Sequence, residues 1–237
     1  MHWYAVLQDV VKVRHEMRHL PTWLFLKCVG GLFARETTQK KRSKNLVFLL
    51  PGFCEGSNEL TLLARDLQHA GHRVVLPAIP SFRVVTLPQM IRQCAPLFRE
   101  FLRKKERLLL IGHSEGALAA LYLAAKFPEA VRGVILLGGP IRGSNLADLI
   151  ACLPVVSRVL NVRHLMTSSR LLRFIAAHRP ACPLIVVASA RDGLAPLERC
   201  MFNGATTVLA HESHIALICK PSARARVVAL VNHFRGR

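Results

Sequence analysis

The sequence predicts an α/β fold: a mostly parallel sheet of about six strands, covered by helices on both faces and interrupted by a helical cap. Two observations carry this. Short runs rich in Val, Leu and Ile recur along the chain, each of strand length and nearly continuous in hydrophobicity, as strands buried on both faces require. Between them lie patterns of helical period, and strands alternating with helices of this length imply parallel crossovers.

The elements follow in order. Residues 1–44 read as an N-terminal basic extension. Trp3, Leu7, Val10 and Met17, with Val6 and Val13 beside them, fall near a 3.6-residue period and predict an amphipathic helix from Trp3 to about His19. Such a helix can lie on an anionic membrane or pack against the domain, and packing is the simpler expectation. The run TQKKRSK (Thr38 to Lys44) reads as a solvated linker. Strands are expected at NLVFLLP (from Asn45), HRVVLPAI (from His72), RLLLIG (from Arg107), GVILLG (from Gly133), PLIVVAS (from Pro183) and TTVLA (from Thr206). Helices are expected over Asn58 to Ala70, Leu87 to Lys104, Gly116 to Phe127 and Ser222 to Phe234. Residues 45–237 thus form the main domain.

One interval breaks the alternation. From about residue 141 to 181 the pattern is helical but too long for a simple crossover, which marks a cap or lid between two strands. It holds six Arg (142, 158, 163, 170, 173 and 179) against the single Asp148, among mainly apolar residues. An oily, positive cap suits a substrate with an acyl chain and a negative head, although Arg stems on a helix are also ordinary solubilising groups.

Composition bounds the function. A chain of 237 residues, 51% hydrophobic and 20% charged, is long enough for a sizeable core. The net charge of +19 favours anionic partners, including weak peripheral association with an anionic membrane, but no nucleic-acid-binding module is recognisable. Seven cysteines without a C-x-x-C pair read as reduced core thiols rather than a disulfide framework. LPTWLFLKCVGGLF (from Leu20) is interrupted by Pro21 and Lys27 and is too short to span a bilayer. No secretory leader is recognisable, so a cytoplasmic location is expected. No clustered carboxylate or His-x-x-x-His pattern calls for a metal, and no cofactor is implied.

The chemistry concentrates at GHSEG, Gly112 to Gly116, which follows a predicted strand and opens a predicted helix. G-x-S-x-G at such a junction forces a sharp turn that projects Ser114, with small residues two positions away on either side keeping the turn free of clashes. A serine hydroxyl needs a base, an orienting acid and donors for developing negative charge. ARDGLAP after the fifth strand supplies Asp192, and HESHIAL after the sixth supplies His211 and His214. His214 leads an apolar segment and is preferred as base; His211 is the alternative. Ser114, Asp192 and His214 run in the Ser, Asp, His order of α/β hydrolases. PGFC (Pro51 to Cys54) follows the first strand, so the backbone N–H groups of Phe53 and Glu115 are the expected oxyanion donors, with Gly52 permitting close approach.

From Asn45 to Phe234 the chain resembles an α/β hydrolase, and within that fold it is most similar to bacterial lipases and esterases. The resemblance is carried by PGF, GHSEGA, GGPIRGSNLAD and SHIALICKP in the family's order. It implies Ser114 as nucleophile, Asp192 as acid, His214 as base and the Phe53 and Glu115 amides as the oxyanion hole. Two departures stand out: Pro51 occupies the family's usual histidine position, and Glu115 places an acid beside the nucleophile, able to raise the base's pKa or to face away. The first strands of larger hydrolases are missing. The expected function is hydrolysis of a carboxylic ester, with a small acyl ester or lipid as substrate. The alternatives are an intracellular thioesterase or acyltransferase, or a hydrolase-like scaffold that binds a membrane or partner without catalysis.

Overall fold

A computed structural model describes residues 16–33, 44–81, 84–153, 155, 157 and 162–234. Six parallel strands form one sheet in the order β2-β1-β3-β4-β5-β6: β1 Leu46–Leu50, β2 Arg73–Val75, β3 Leu108–His113, β4 Val131–Leu137, β5 Leu184–Ser189 and β6 Thr206–Ala210. All six coincide with expected runs. The central strands are apolar on both faces because both are covered. Phe48, Leu50, Leu110 and Leu136 face α3 (Leu87–Arg103) and α4 (Glu115–Lys126), whereas Val47, Leu49, Leu109, Ile111 and Ile135 share the opposite core with α2 (Thr61–His69) and α9 (Pro221–His233). The edge strands β2 and β6 are the least buried, whereas β4 and β5 each leave one residue, Arg132 and Ile185, partly exposed.

Helix α1, Leu20–Phe33, was not foreseen: its paired glycines, Gly30 and Gly31, argue against a helix by propensity. Tertiary contacts override that preference. Leu26 is buried in the core beside Leu60 and Leu63, and Lys27 pairs with the fully buried Glu59 at 3.1 Å. The expected helix from Trp3 and the basic linker lie almost wholly outside the described residues. No described helix is long and apolar enough to cross a membrane.

The segment 141–181, expected as a cap, contains α5 (Asn145–Ala151), a 3-10 turn at Val162–Leu165 and α6 (Arg170–Ala177). Asp148 of α5 is joined to the turn before α6 by accepting from the Thr167 amide (3.1 Å) and hydroxyl (2.9 Å). Short helices α7 (Leu197–Cys200) and α8 (Ala216–Cys219) follow β5 and β6. The cysteines are unpaired, but they are not uniformly core residues: Cys94, Cys200 and Cys219 are buried, whereas Cys28 and Cys152 are exposed.

Candidate active site

In a parallel sheet all strands end on the same side, so the loops that follow β1, β3, β5 and β6 converge at one edge. The loop after β3 is the tightest. Ser114 sits between β3 and α4 at φ 53°, ψ −120°, a left-handed backbone that costs a non-glycine residue about 1–3 kcal/mol. The turn is held by the Ser114 amide donating to Leu137 O (2.8 Å) and by the Ala117 amide donating to Ser114 O (3.0 Å). Gly116 is required by proximity: a Cβ there would stand 2.2 Å from Leu50 O. Ser114 itself is only half-buried.

Asp192, fully buried after β5, is oriented by its own loop. Its Oδ1 accepts from the amides of Leu194 (2.9 Å) and Ala195 (2.7 Å), and its Oδ2 meets His214 Nδ1 at 2.7 Å. That contact leaves Nε2 as the ring nitrogen free to work toward a substrate. Burial by itself lowers the His214 pKa, but the Asp192 charge and hydrogen bond, joined by Glu16 and Glu55, overcome it and raise the imidazole to about 9. His211 lies instead beside the exposed side of the turn, where its amide donates to Glu212 Oε2 at 3.0 Å.

The loop after β1 lies over the serine. A Cβ on Gly52 would stand 2.8 Å from Ser114 Cβ, so only glycine fits. Glu55 pins this loop: it accepts from the Gly52 amide (2.7 Å) and Trp23 Nε1 (3.2 Å) and meets His113 Nδ1 (2.8 Å). Burial raises the Glu55 pKa, yet His113, the Gly52 amide and His214 together bring it below the ordinary value, so Glu55 is held as a carboxylate. The Gly52 N–H is thereby occupied. The amides of Phe53 and Glu115 donate to no described acceptor. His113 is a structural neighbour of His214: its Nε2 lies 3.2 Å from His214 O, and the two rings are 4.7 Å apart.

Glu115 turns away from His214. Its fully buried carboxylate pairs through Oε1 with His164 Nε2 of the cap, while Oε2 has no partner among the described residues. Sequence reasoning therefore missed three residues around this centre: Glu16, Glu55 and His164. Of these only Glu55, three residues beyond Gly52, lay close enough to a recognised motif to be suspected. Among the described residues no group of three potential ligands is placed to hold a metal ion.

This arrangement of sheet, elbow and loops is that of the α/β-hydrolase fold. A family model for that fold matches residues 45–156. The particular proteins it resembles are lipases. A segment is 45% identical over 60 residues to a triacylglycerol lipase of Pseudomonas fragi, covering 25% of this chain and 20% of that lipase. The matched segment thus spans only a fifth of that relative's length. Among solved structures, a Bacillus licheniformis lipase superposes with a TM-score of 0.67 at 15% identity, covering 82% of this chain and 94% of the other. A thioesterase domain from the curacin biosynthetic pathway superposes with a TM-score of 0.58 at 17% identity, covering 79% and 90%. These likenesses establish the fold.

Proposed function

We propose that the protein is a serine hydrolase that cleaves carboxylic esters through an acyl-enzyme formed on Ser114. The single observation that supports this best is the buried pair of His214 Nδ1 and Asp192 Oδ2, at the same sheet edge as a serine held at positive φ. In this reading His214 Nε2 takes the hydroxyl proton as Ser114 Oγ bonds to the ester carbonyl carbon. The carbonyl oxygen becomes an oxyanion met by the Phe53 and Glu115 amides, the latter at the positive end of α4. The C–O bond to the alcohol then breaks, and His214 returns the proton to the departing alkoxide. Water adds to the acyl carbon by the same route, releasing the acid and restoring Ser114.

An acyl or lipid substrate is favoured by the segment 141–181, read as a cap on the domain formed by residues 45–237. There Leu146, Leu149 and Leu153 stand exposed at helical spacing. The basic charge supports an encounter with anionic lipid. The test is hydrolysis of a short-chain p-nitrophenyl ester, with fluorophosphonate labelling of the serine. Both should vanish in Ser114→Ala, and undiminished hydrolysis in that variant would sink the assignment. A parallel acyl-thioester assay decides whether the thioesterase reading, kept open by the similar fold of the curacin-pathway domain, describes the preferred substrate better.

A further inference from the structure

The N-terminal segment lies outside the matched residues 45–156, yet it reaches the centre of the site. Glu16 is buried, and its carboxylate accepts three backbone hydrogen bonds: Oε1 from the amides of His214 (2.6 Å) and Gly193 (3.4 Å), and Oε2 from the amide of Ile215 (2.9 Å). Gly193 follows Asp192 directly. One side chain, almost two hundred residues away in sequence, thus holds the acid loop and the histidine loop at the backbone of each. Burying a carboxylate is costly unless its oxygens are bonded, so these contacts fix the position of Glu16 as firmly as they fix the loops.

The rest of the segment is anchored on the other side of the site. Trp23 of α1 donates to Glu55, Lys27 pairs with Glu59 and donates to Cys54 O, and Asn58 Nδ2 donates back to Lys27 O at 3.1 Å. Residues 16–27 therefore form a strap from the histidine loop to the loop above Ser114.

We propose that Glu16 is a positioning residue of the active site, clamping the loops of Asp192 and His214 together and adding negative charge beside the imidazole, so that the N-terminal strap completes the catalytic apparatus. This rests on the reading of Ser114, Asp192 and His214 as the triad. The ionisable groups facing His214 are Asp192 on its Nδ1, Glu16 at its amide, Glu55, and the His113 ring. Arg18, His19, Arg191, His211, Glu212 and Lys220 line the surface pocket on the outer side of the same turn. Glu16 and Glu55 both favour the imidazolium that forms when His214 accepts the serine proton.

The test compares the full-length protein with Glu16→Gln and Glu16→Asp, reading kcat, KM and the pH profile of ester hydrolysis, with fluorophosphonate labelling and mass spectrometry to locate the modified residue. His214 acts as a base only when neutral, so rate rises with pH through its pKa. In E16Q the glutamine lacks the charge and can keep only part of the hydrogen bonding. Its rising limb should move to lower pH by about one unit, and its plateau kcat should fall roughly ten- to a hundred-fold with KM little changed. E16D keeps the charge but is too short to reach both loops at once; its kcat should fall with the limb in place. Wild-type kcat and limb in E16Q would overturn the proposal, as would a lowered rate with an unmoved limb, which is what loss of packing alone produces. Wild-type kcat in E16D would overturn it as well, and this arm stands even if E16Q is not recovered folded. Absence of label on Ser114 in the wild-type protein would instead overturn the hydrolase reading, and the clamp with it.

Discussion

Replacing Asp192 with asparagine separates the charge of the acid from its shape. The carboxylate accepts from two backbone amides through Oδ1 and faces His214 through Oδ2. An asparagine that keeps its oxygen on the Leu194 and Ala195 amides must turn its NH2 toward His214 Nδ1. The imidazole then carries its proton on Nε2, where it cannot take one from Ser114, and the rate should fall by about four orders of magnitude. The same change has a stability signature of definite sign. His214 is raised to about 9 in the folded protein against about 6.5 in the unfolded chain, which corresponds to about 3 kcal/mol for this fully buried group. Because the folded state binds the proton more tightly, that stabilisation is complete below the unfolded pKa, declines as pH rises above it, and is gone beyond the folded pKa. In Asp192→Asn the largest influences that raise the imidazole are gone, and its pKa falls back toward the ordinary value. The gap in unfolding free energy between wild type and D192N should therefore be widest near about pH 6 and narrow by about 3 kcal/mol toward about pH 10. Urea unfolding across that range measures it. A gap that stays constant with pH would refute the claim that Asp192 acts on His214 through charge.

Two further substitutions probe the turn that carries the serine. His164→Ala leaves the buried Glu115 carboxylate without its cap partner and should cost about 3–5 kcal/mol in urea unfolding, with Glu115→Gln costing much less; a loss in H164A below about 1 kcal/mol would show that the pair holds no buried charge. Gly116→Ala drives a methyl group to 2.2 Å from Leu50 O, and it should destabilise the fold by about 3 kcal/mol and abolish fluorophosphonate labelling. A stable, labelled G116A protein would mean that the turn can open without losing its function.

The strands were legible because a parallel sheet covered on both faces writes itself as uninterrupted apolar runs, and even the partly exposed edge strand β6 kept enough of that run to be recognised. The positions of Ser114, Asp192 and His214 were legible because each follows a strand, and strand ends in such a sheet meet at one edge. What the sequence could not disclose are partnerships between distant segments. Nothing near Glu16 distinguishes it from any acid in a basic amphipathic stretch, and its partners lie at Gly193, His214 and Ile215. Glu115 was conspicuous beside Ser114, yet its partner His164 belongs to the segment 141–181, whose internal path no periodicity specifies. Helix α1 illustrates the same limit at the level of an element, since its paired glycines count against a helix that Leu26 and Lys27 then secure by tertiary contact.

The partnerships also decide where the protein's negative charge lies. Of the 12 acidic residues among the described residues, six are buried: Glu16, Glu55, Glu59, Glu115, Asp192 and Glu212. Each is held by groups that make a buried carboxylate tolerable: backbone amides for Glu16, a histidine and an amide for Glu55, Lys27 and Ser81 for Glu59, His164 for Glu115, His214 for Asp192 and Arg226 for Glu212. All six lie on the strap, the cap contact or the loops around the candidate site. Half of the described carboxylates thus act as interior clamps on the loops that surround Ser114, and only the other six stand among its surface arginines and lysines. A field of that kind draws anionic surfaces toward the molecule over roughly a Debye length, about 8 Å at physiological salt. The positive field of the whole protein follows from its excess of Lys and Arg, whereas the fine positioning of the loops around Ser114 follows from where these few acids have been placed.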